Sequence, residues 1–285
     1  MKKLYIILTT CLLIISCTSK EIIVRKNRIH RFSDFEIITE TYLDIWEMVL
    51  IPEGYFIMGS DYSFPDESPA HEVFLPAYYI DRYEVTCYQY QLFCNATGHP
   101  APRDWPGGIC PEYRLYEPVR WVSYEDARAY AQWLSKQLPS EQQWEKAARG
   151  VDLRTFPWGD DWNHQYCRSA EQRFDIPQLI GWYGSFGASP WGVYDMAGNV
   201  AEWTSSWYNS YPGSSAQSEY FGTIVKVIRG GSYMNTKDLA SVTYRGIHYP
   251  SIPSPHLGFR CVYLPQDMDS LPIRIHLEPG GMIEW

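Results

Sequence analysis

Apolar residues recur at helical spacing in three segments, which are therefore predicted helices: 86–96, 123–134 and 140–149. In the second segment Ser123 can cap the first turn, and Ala127 and Tyr130 fall on one face. In the third, Ser140 and Gln143 have the spacing of a capping box. These segments are short, so helices are expected to form a minor part of the fold.

Shorter apolar runs bounded by turn residues predict strands: 55–59, 71–80, 226–229 and 257–264. Pro76 interrupts the second run, which favours an edge strand or a bulge there. The segment 33–46 fits either an amphipathic helix capped by Ser33 or a strand, and both alternatives stay open. A few helices among short strands and long loops predict the α+β class, with little regular secondary structure.

Composition supports a loop-rich domain. The 285 residues include 12 Trp, 23 Tyr, 11 Phe, 20 Gly and 20 Pro. Gly and Pro interrupt helices, whereas large aromatic side chains can fill a core between loops, so a helical bundle is disfavoured. Acidic residues outnumber basic ones by 33 to 24, and the net charge is −9. A general nucleic-acid-binding surface is therefore not expected.

The N-terminus has the pattern of a secretion signal. Lys2 and Lys3 precede a short apolar run, 4–15, that ends at Ser16 and Cys17. This segment, 1–17, resembles a bacterial lipoprotein signal peptide with its lipobox, which implies lipidation of Cys17 and a membrane anchor. An ordinary signal peptide with a chance cysteine is the alternative. Residue 18 is Thr rather than Asp, which by the same resemblance favours the outer membrane.

Motifs in the remaining chain resemble the formylglycine-generating-enzyme family, also called sulfatase-modifying-factor domains. The matching stretches are FIMG (56–59) with ESPAH (67–71), IDRYEVT (80–86), PV (118–119) with VSYEDA (122–127), LPSE (138–141) through WEKAARG (144–150), GVYDMAGNVAEW (192–203), and RGGS (229–232) with GFR (258–260). The resemblance covers about 48–264 and implies a C-type-lectin-like α+β fold. It divides the chain into a tether (18–47), this domain (48–264) and a C-terminal extension (265–285).

The catalytic motif of that family is incomplete in this chain. The resemblance implies two cysteines after Arg-Gly-Gly-Ser, which bind the copper ion used to oxidise a sulfatase cysteine. Asn235 stands where the first cysteine belongs, and no cysteine lies between Cys167 and Cys261. Thiolates are the ligands that copper(I) prefers. We therefore expect neither copper binding nor formylglycine-generating activity, and we assign no catalytic residue.

Two other metals follow from the resemblance. The segment 192–203 is similar to a calcium site, in which Asp195, carbonyls at Gly198 and Val200, and Glu202 converge, and calcium favours such oxygen ligands. A sister branch uses non-heme iron held by closely spaced histidines. No two of the seven histidines here have i, i+4 spacing. A dispersed iron site stays open as an alternative.

The cysteines give no definite pairing. Signal cleavage would remove Cys11 and, by removing Lys2 and Lys3, would change the net charge from −9 to −11. Five cysteines besides Cys17 would remain in a compartment that permits disulfides. Cys87 and Cys94 lie two helical turns apart, which is too far for a bond. An odd number leaves at least one thiol free or paired between molecules.

Together these observations predict a lipid-anchored envelope protein that binds a protein or glycan ligand, or acts as a scaffold, without catalysis. The resemblance places a variable binding face between RGGS and GFR, and the polar and aromatic candidates there are Asn235, Thr236, Lys237, Asp238, Tyr244, His248 and Tyr249. The alternative is a non-heme-iron or other metal-dependent oxidoreductase of the same superfamily.

Overall fold

The computed structural model describes residues 28–32, 35–39 and 44–265. The first two ranges form a hairpin of β1 (Arg28–Phe32) and β2 (Phe35–Thr39), paired antiparallel with Phe32 opposite Phe35. Of the two alternatives for 33–46, a strand is therefore found over Phe35–Thr39. The hairpin belongs to one compact unit of the chain and residues 44–265 to another.

Residues 44–265 form an α+β domain, which confirms the predicted class. Its strands are β3 (Met48–Ile51), β4 (Gly54–Met58), β5 (His71–Leu75), β6 (Tyr78–Asp81), β7 (Ala201–Trp207), β8 (Lys226–Arg229), β9 (Gly246–His248), β10 (Leu257–Gly258) and β11 (Val262–Tyr263). Its α-helices are α1 (Cys87–Thr97), α2 (Tyr124–Trp133) and α3 (Glu141–Arg149). Most of the remaining residues lie in loops and turns.

The strands form three small sheets. One has the order β10-β7-β8-β9, a second has the order β11-β6-β3, and β4 pairs with β5. All of these pairs are antiparallel except β10 with β7, which run parallel. Helix α3 packs against β4, β5, β7 and β8, and so joins the β4–β5 pair to the four-stranded sheet.

The three helices begin where the sequence predicts. Thr86, Ser123 and Ser140 each accept a hydrogen bond from the backbone N–H three residues later, and each pair completes a capping box. The left-handed Gly98 ends α1, and Gly150 ends α3. These caps satisfy backbone groups that the helix itself leaves unpaired, which explains why such short helices have defined ends.

Aromatic side chains make up much of the core. Between α1 and α2, Tyr90 stacks on Tyr130 with ring centroids 5.8 Å apart, and Phe259 packs edge-on against Tyr130 at 5.3 Å. A second cluster surrounds Trp144 beneath the β3–β6 pair. Trp203 is fully buried and donates its indole N–H to the Val122 carbonyl. Large rings therefore fill the space between loops, as the composition suggests.

Two strand predictions need correction. The run 71–80 is not one strand: it divides at Pro76 into β5 and β6, which belong to different sheets. Likewise, 257–264 divides into β10 and β11, because Arg260 turns inward between them to reach a buried carboxylate. No described helix is long and apolar enough to cross a membrane. The predicted signal peptide with Cys17, and most of the C-terminal extension, lie outside the described residues.

Candidate functional site

The loop after β8 is the stretch in which the resembled family carries its two copper cysteines, and in this chain buried contacts hold it in place. Gly230 and Gly231 both adopt positive φ, at 87° and 65°. A Cβ on Gly231 would lie 2.3 Å from the Leu239 carbonyl oxygen, so glycine is required for this close approach. The chain can therefore fold back over 232–240 directly after the strand.

Arg229 anchors the next part of the same loop. Its guanidinium is fully buried, pairs with the Glu145 carboxylate on α3, and donates to the carbonyls of 242, 243 and 244 at 2.7–2.8 Å. Burial is the largest single effect and acts to lower the pKa of Arg229, but the nearby Glu145, Tyr211 and Glu141 groups together outweigh it, so the pKa is raised. The first residue of the RGGS motif therefore fixes the fold of the loop.

Asn235 occupies the position expected for a copper cysteine, and its side chain has a structural contact. Its Oδ1 accepts hydrogen bonds from the backbone N–H of Ser232 at 2.9 Å and from the Ser232 hydroxyl at 2.8 Å. Its carbonyl accepts from the Ala170 N–H at 3.0 Å. The amide thus closes a turn and links the loop to residue 170.

Cys167 is brought next to this loop by the tertiary fold. It is buried with Ala240 and Ala197, and burial raises its pKa to about 12. Copper(I) coordination requires deprotonated thiols. One protonated thiol and an amide that already accepts two hydrogen bonds do not provide a thiolate pair, so these residues do not fit copper.

The predicted calcium residues do not present free carboxylate oxygens to a common point. Both oxygens of Glu202 accept from Arg260, at 2.7 and 2.8 Å, and one also accepts from the Trp144 indole N–H at 2.8 Å. Asp195 Oδ2 accepts from the Gly181 N–H at 2.6 Å. A calcium ion would require Glu202 to leave Arg260, so this arrangement does not fit a Glu202-bound ion. Calcium binding stays a prediction.

Gly198 and Val200 instead lie beside another buried carboxylate. Glu84 accepts from the Asn199 side-chain amide at 2.6 Å and from the Val200 N–H at 3.1 Å. Burial, followed by the nearby charges of Asp195 and Glu202, raises the pKa of Glu84 well above its usual value. Among the described residues, no group of three or more His, Cys, Asp or Glu side chains is arranged to hold a metal ion.

The seven predicted binding-face residues have different surroundings. Residues 236–238 are exposed and begin a short 3-10 turn. Tyr244 packs edge-on against Phe64 at 5.7 Å. His248 lies against the Trp203 ring at 5.6 Å, with Tyr249 exposed beside it. Their role in binding stays a prediction.

A surface cleft of about 700 Å³ lies between the β4–β5 hairpin, the start of α3 and the end of β7. Its lining includes His71, Phe74, Trp207, Tyr211, Glu141 and Arg245, together with several serines and Asn209. None of the seven predicted binding-face residues contributes to it. We call this feature the β5–β7 cleft.

A fixed ion pair forms the floor of the β5–β7 cleft. Arg245 Nε and Nη2 donate to the two Glu141 oxygens at 2.7 and 3.1 Å. The guanidinium also lies over the ring of Tyr211, with its carbon 4.1 Å from the centroid, and the Tyr211 hydroxyl donates to Glu141 at 3.2 Å. His71 packs edge-on against Tyr211 at 4.8 Å. Aromatic faces and charged groups are thus held in fixed positions before any ligand binds.

Comparison with known proteins identifies the domain. The family model for the sulfatase-modifying factor enzyme 1-like domain matches residues 35–264. The chain belongs to this family. The formylglycine-generating enzyme of Mycobacterium tuberculosis is 29% identical over 295 residues, covering 76% of this chain and 97% of that protein.

Two solved structures share the fold of this chain. PvdO from Pseudomonas aeruginosa superposes with a TM-score of 0.63 and 27% identity, covering 75% of this chain and 93% of that one. Treponema denticola variable protein 1 gives 0.61 with 20% identity, covering 85% and 100%, and so supports the fold alone. The predicted family and the C-type-lectin-like fold are confirmed.

Within this family framework, sequence reasoning missed the β5–β7 cleft. Glu141 and Arg245 are 104 residues apart, so no local spacing connects them. The one available signal was the acidic residue at the start of α3, which would be interpreted as a favourable charge at a helix N-terminus.

Proposed function

We propose that this chain is a lipid-anchored protein of the cell envelope, most consistent with the outer membrane, whose sulfatase-modifying-factor-like domain binds a protein or glycan ligand and does not generate formylglycine. The observation that carries this proposal is the loop at Asn235. The Asn235 side-chain amide accepts two hydrogen bonds from Ser232 and stands where the resembled family has a thiol. The neighbouring Cys167 is a single, buried thiol. The lipid anchor rests on the signal-like sequence that ends at Cys17.

The β5–β7 cleft supports a binding role. Half-exposed rings such as Phe74 and Trp207 can pack against the apolar faces of a sugar or a side chain. Serine hydroxyls and the Asn209 amide can pair with ligand hydroxyl or amide groups. A concave site that combines aromatic faces with polar groups in fixed positions is typical of ligand recognition.

Catalysis is tested with the full-length chain. The protein is incubated aerobically with copper(I) and a cysteine-containing sulfatase peptide, and the aldehyde product is measured by mass spectrometry. A formylglycine-generating relative serves as the positive control. We expect no aldehyde. Aldehyde formation, or stoichiometric iron with oxygen uptake, would overturn the non-catalytic proposal, and the second result would establish the oxidoreductase alternative.

Ligand binding is tested on an array of immobilised envelope oligosaccharides and peptides. Phe74→Ala is compared with Phe186→Ala, since both rings are exposed (51% and 68%) and Phe186 does not line the β5–β7 cleft. We expect at least a tenfold loss of affinity for Phe74→Ala and wild-type affinity for Phe186→Ala. Equal affinities for the two variants would contradict the assignment of the cleft.

A further inference from the structure

Two of the five described cysteines are neighbours in the fold. Cys87 is the first residue of α1, and Cys110 lies in the loop that passes beside this helix. The Cys110 N–H donates to the side chain of Gln91 at 2.8 Å, and Gln91 is one helical turn after Cys87. The Cys87 side chain lowers the pKa of Cys110, and Cys110 raises the pKa of Cys87, an interaction that requires the two side chains to lie near each other. The hydrogen bond to Gln91 and this interaction together indicate that the two cysteine side chains are neighbours.

The segments that carry both cysteines are held by further hydrogen bonds. The Cys87 N–H donates to the Glu117 carbonyl at 2.9 Å, and the Cys87 thiol lies 3.7 Å from the Pro118 carbonyl. The Cys110 thiol lies 3.5 Å from the Pro111 carbonyl. The backbone that carries both cysteines is therefore held in place on each side of the pair.

The other three cysteines have different contacts. Cys94 faces the Pro100 carbonyl at 3.9 Å, Cys167 packs with Ala240, and Cys261 is buried near Asp81. Burial raises the pKa of each of these thiols. The pKa of Cys110, in contrast, is lowered by its hydrogen bond from Cys87. The Arg114 guanidinium acts in the same direction. We therefore assign Cys110 as the attacking thiol of the pair.

We propose that Cys87 and Cys110 form a disulfide bond that ties the start of α1 to the loop at 110, while Cys94, Cys167 and Cys261 stay reduced. The oxidant is the disulfide of a thiol–disulfide oxidoreductase. The Cys110 thiolate attacks one oxidant sulfur and releases the other as a thiolate. The Cys87 thiol then attacks Cys110 Sγ and releases the second oxidant sulfur as a thiolate, which takes up the Cys87 proton, so that one disulfide is gained and one is reduced.

The bond is tested by peptide mapping. The full-length chain is purified from the envelope of its expression host and, separately, reduced and then incubated with oxidised glutathione. Both samples are alkylated under denaturing conditions and digested without reduction. We expect one linked peptide pair, Cys87 with Cys110, and alkylation at the other three cysteines. Two alkylated cysteines at 87 and 110 in both samples, or a different linkage, would overturn the proposal.

A thermal measurement separates a specific bond from chance oxidation. We expect the oxidised wild type to unfold roughly 5–10 °C above the reduced protein, since the bond closes a loop of more than twenty residues. Cys110→Ser should lose this redox-dependent difference, and the control Cys94→Ser should keep it. The bond rests on the described contacts and not on the proposed function. A bond formed with glutathione but absent in the envelope sample would therefore support the pair and count against the proposed location.

Discussion

Replacing Glu202 by Gln tests whether this carboxylate pairs with Arg260 or binds a calcium ion. The Arg260 guanidinium and the Glu202 carboxylate are almost completely inaccessible to solvent, and the variant leaves the guanidinium charge without its carboxylate. Breaking a buried pair in this way costs about 3–5 kcal/mol. Arg260 also donates to the carbonyls of Asp81, Arg82 and Tyr194, which stay in place. We therefore expect a cost near the lower end, about 3 kcal/mol.

For a domain of this size, about 3 kcal/mol corresponds to a fall in the melting temperature of about 6–12 °C. The assay is thermal unfolding of wild type and variant, each in a chelator and in millimolar calcium. The control is Glu125→Gln, since Glu125 forms an exposed pair with Arg128 and should cost less than about 1 kcal/mol. We expect the Glu202→Gln loss to be the same in both buffers. A loss that occurs in calcium alone would refute the ion-pair reasoning and would support the predicted calcium site.

Three further predictions concern other parts of the chain. Gly98 and Gly198 have similar φ (71° and 74°), and each is replaced by Ala. A Cβ at 98 would have no atom within 4 Å, whereas a Cβ at 198 would lie 2.1 Å from the Arg168 carbonyl oxygen. We expect about 1–2 kcal/mol of destabilisation for the first and more than about 3 kcal/mol for the second in urea unfolding. Burial lowers the pKa of Lys226 from 10.5 to about 8, so the unfolded chain binds more protons between these values. The unfolding free energy of wild type minus that of Lys226→Met should therefore rise between pH 8 and 10.5 in urea titrations. Cys17→Ser should move the protein from the detergent phase to the aqueous phase in a phase-separation assay.

Each of these has a clear contrary result. Equal losses of unfolding free energy for the two glycine variants would show that the backbone near residue 198 shifts readily to make room for a Cβ. A constant free-energy difference across the pH range would mean that burial does not lower the pKa of Lys226. A Cys17→Ser protein that stays in the detergent phase would contradict lipidation at that residue.

Local sequence determined the parts of this protein whose contacts span a few residues. The helices begin directly after Thr86, Ser123 and Ser140 because each of these caps accepts a hydrogen bond from the backbone N–H three residues later. The strand β4 and the positive φ of Gly230 follow in the same way from side-chain pattern and steric freedom. The absence of a thiol at 235 is likewise a property of the sequence.

Tertiary structure decided which distant residues meet. Pro76 and the inward turn at Arg260 divide two apolar runs between different sheets, and periodicity does not encode sheet membership. Three interactions join segments that are separated in the chain: the ion pair of Glu202 with Arg260, the ion pair of Glu141 with Arg245, and the interaction of Cys87 with Cys110. A buried charge is stable where an opposite charge and hydrogen-bond partners surround it, and the packed fold supplies those partners.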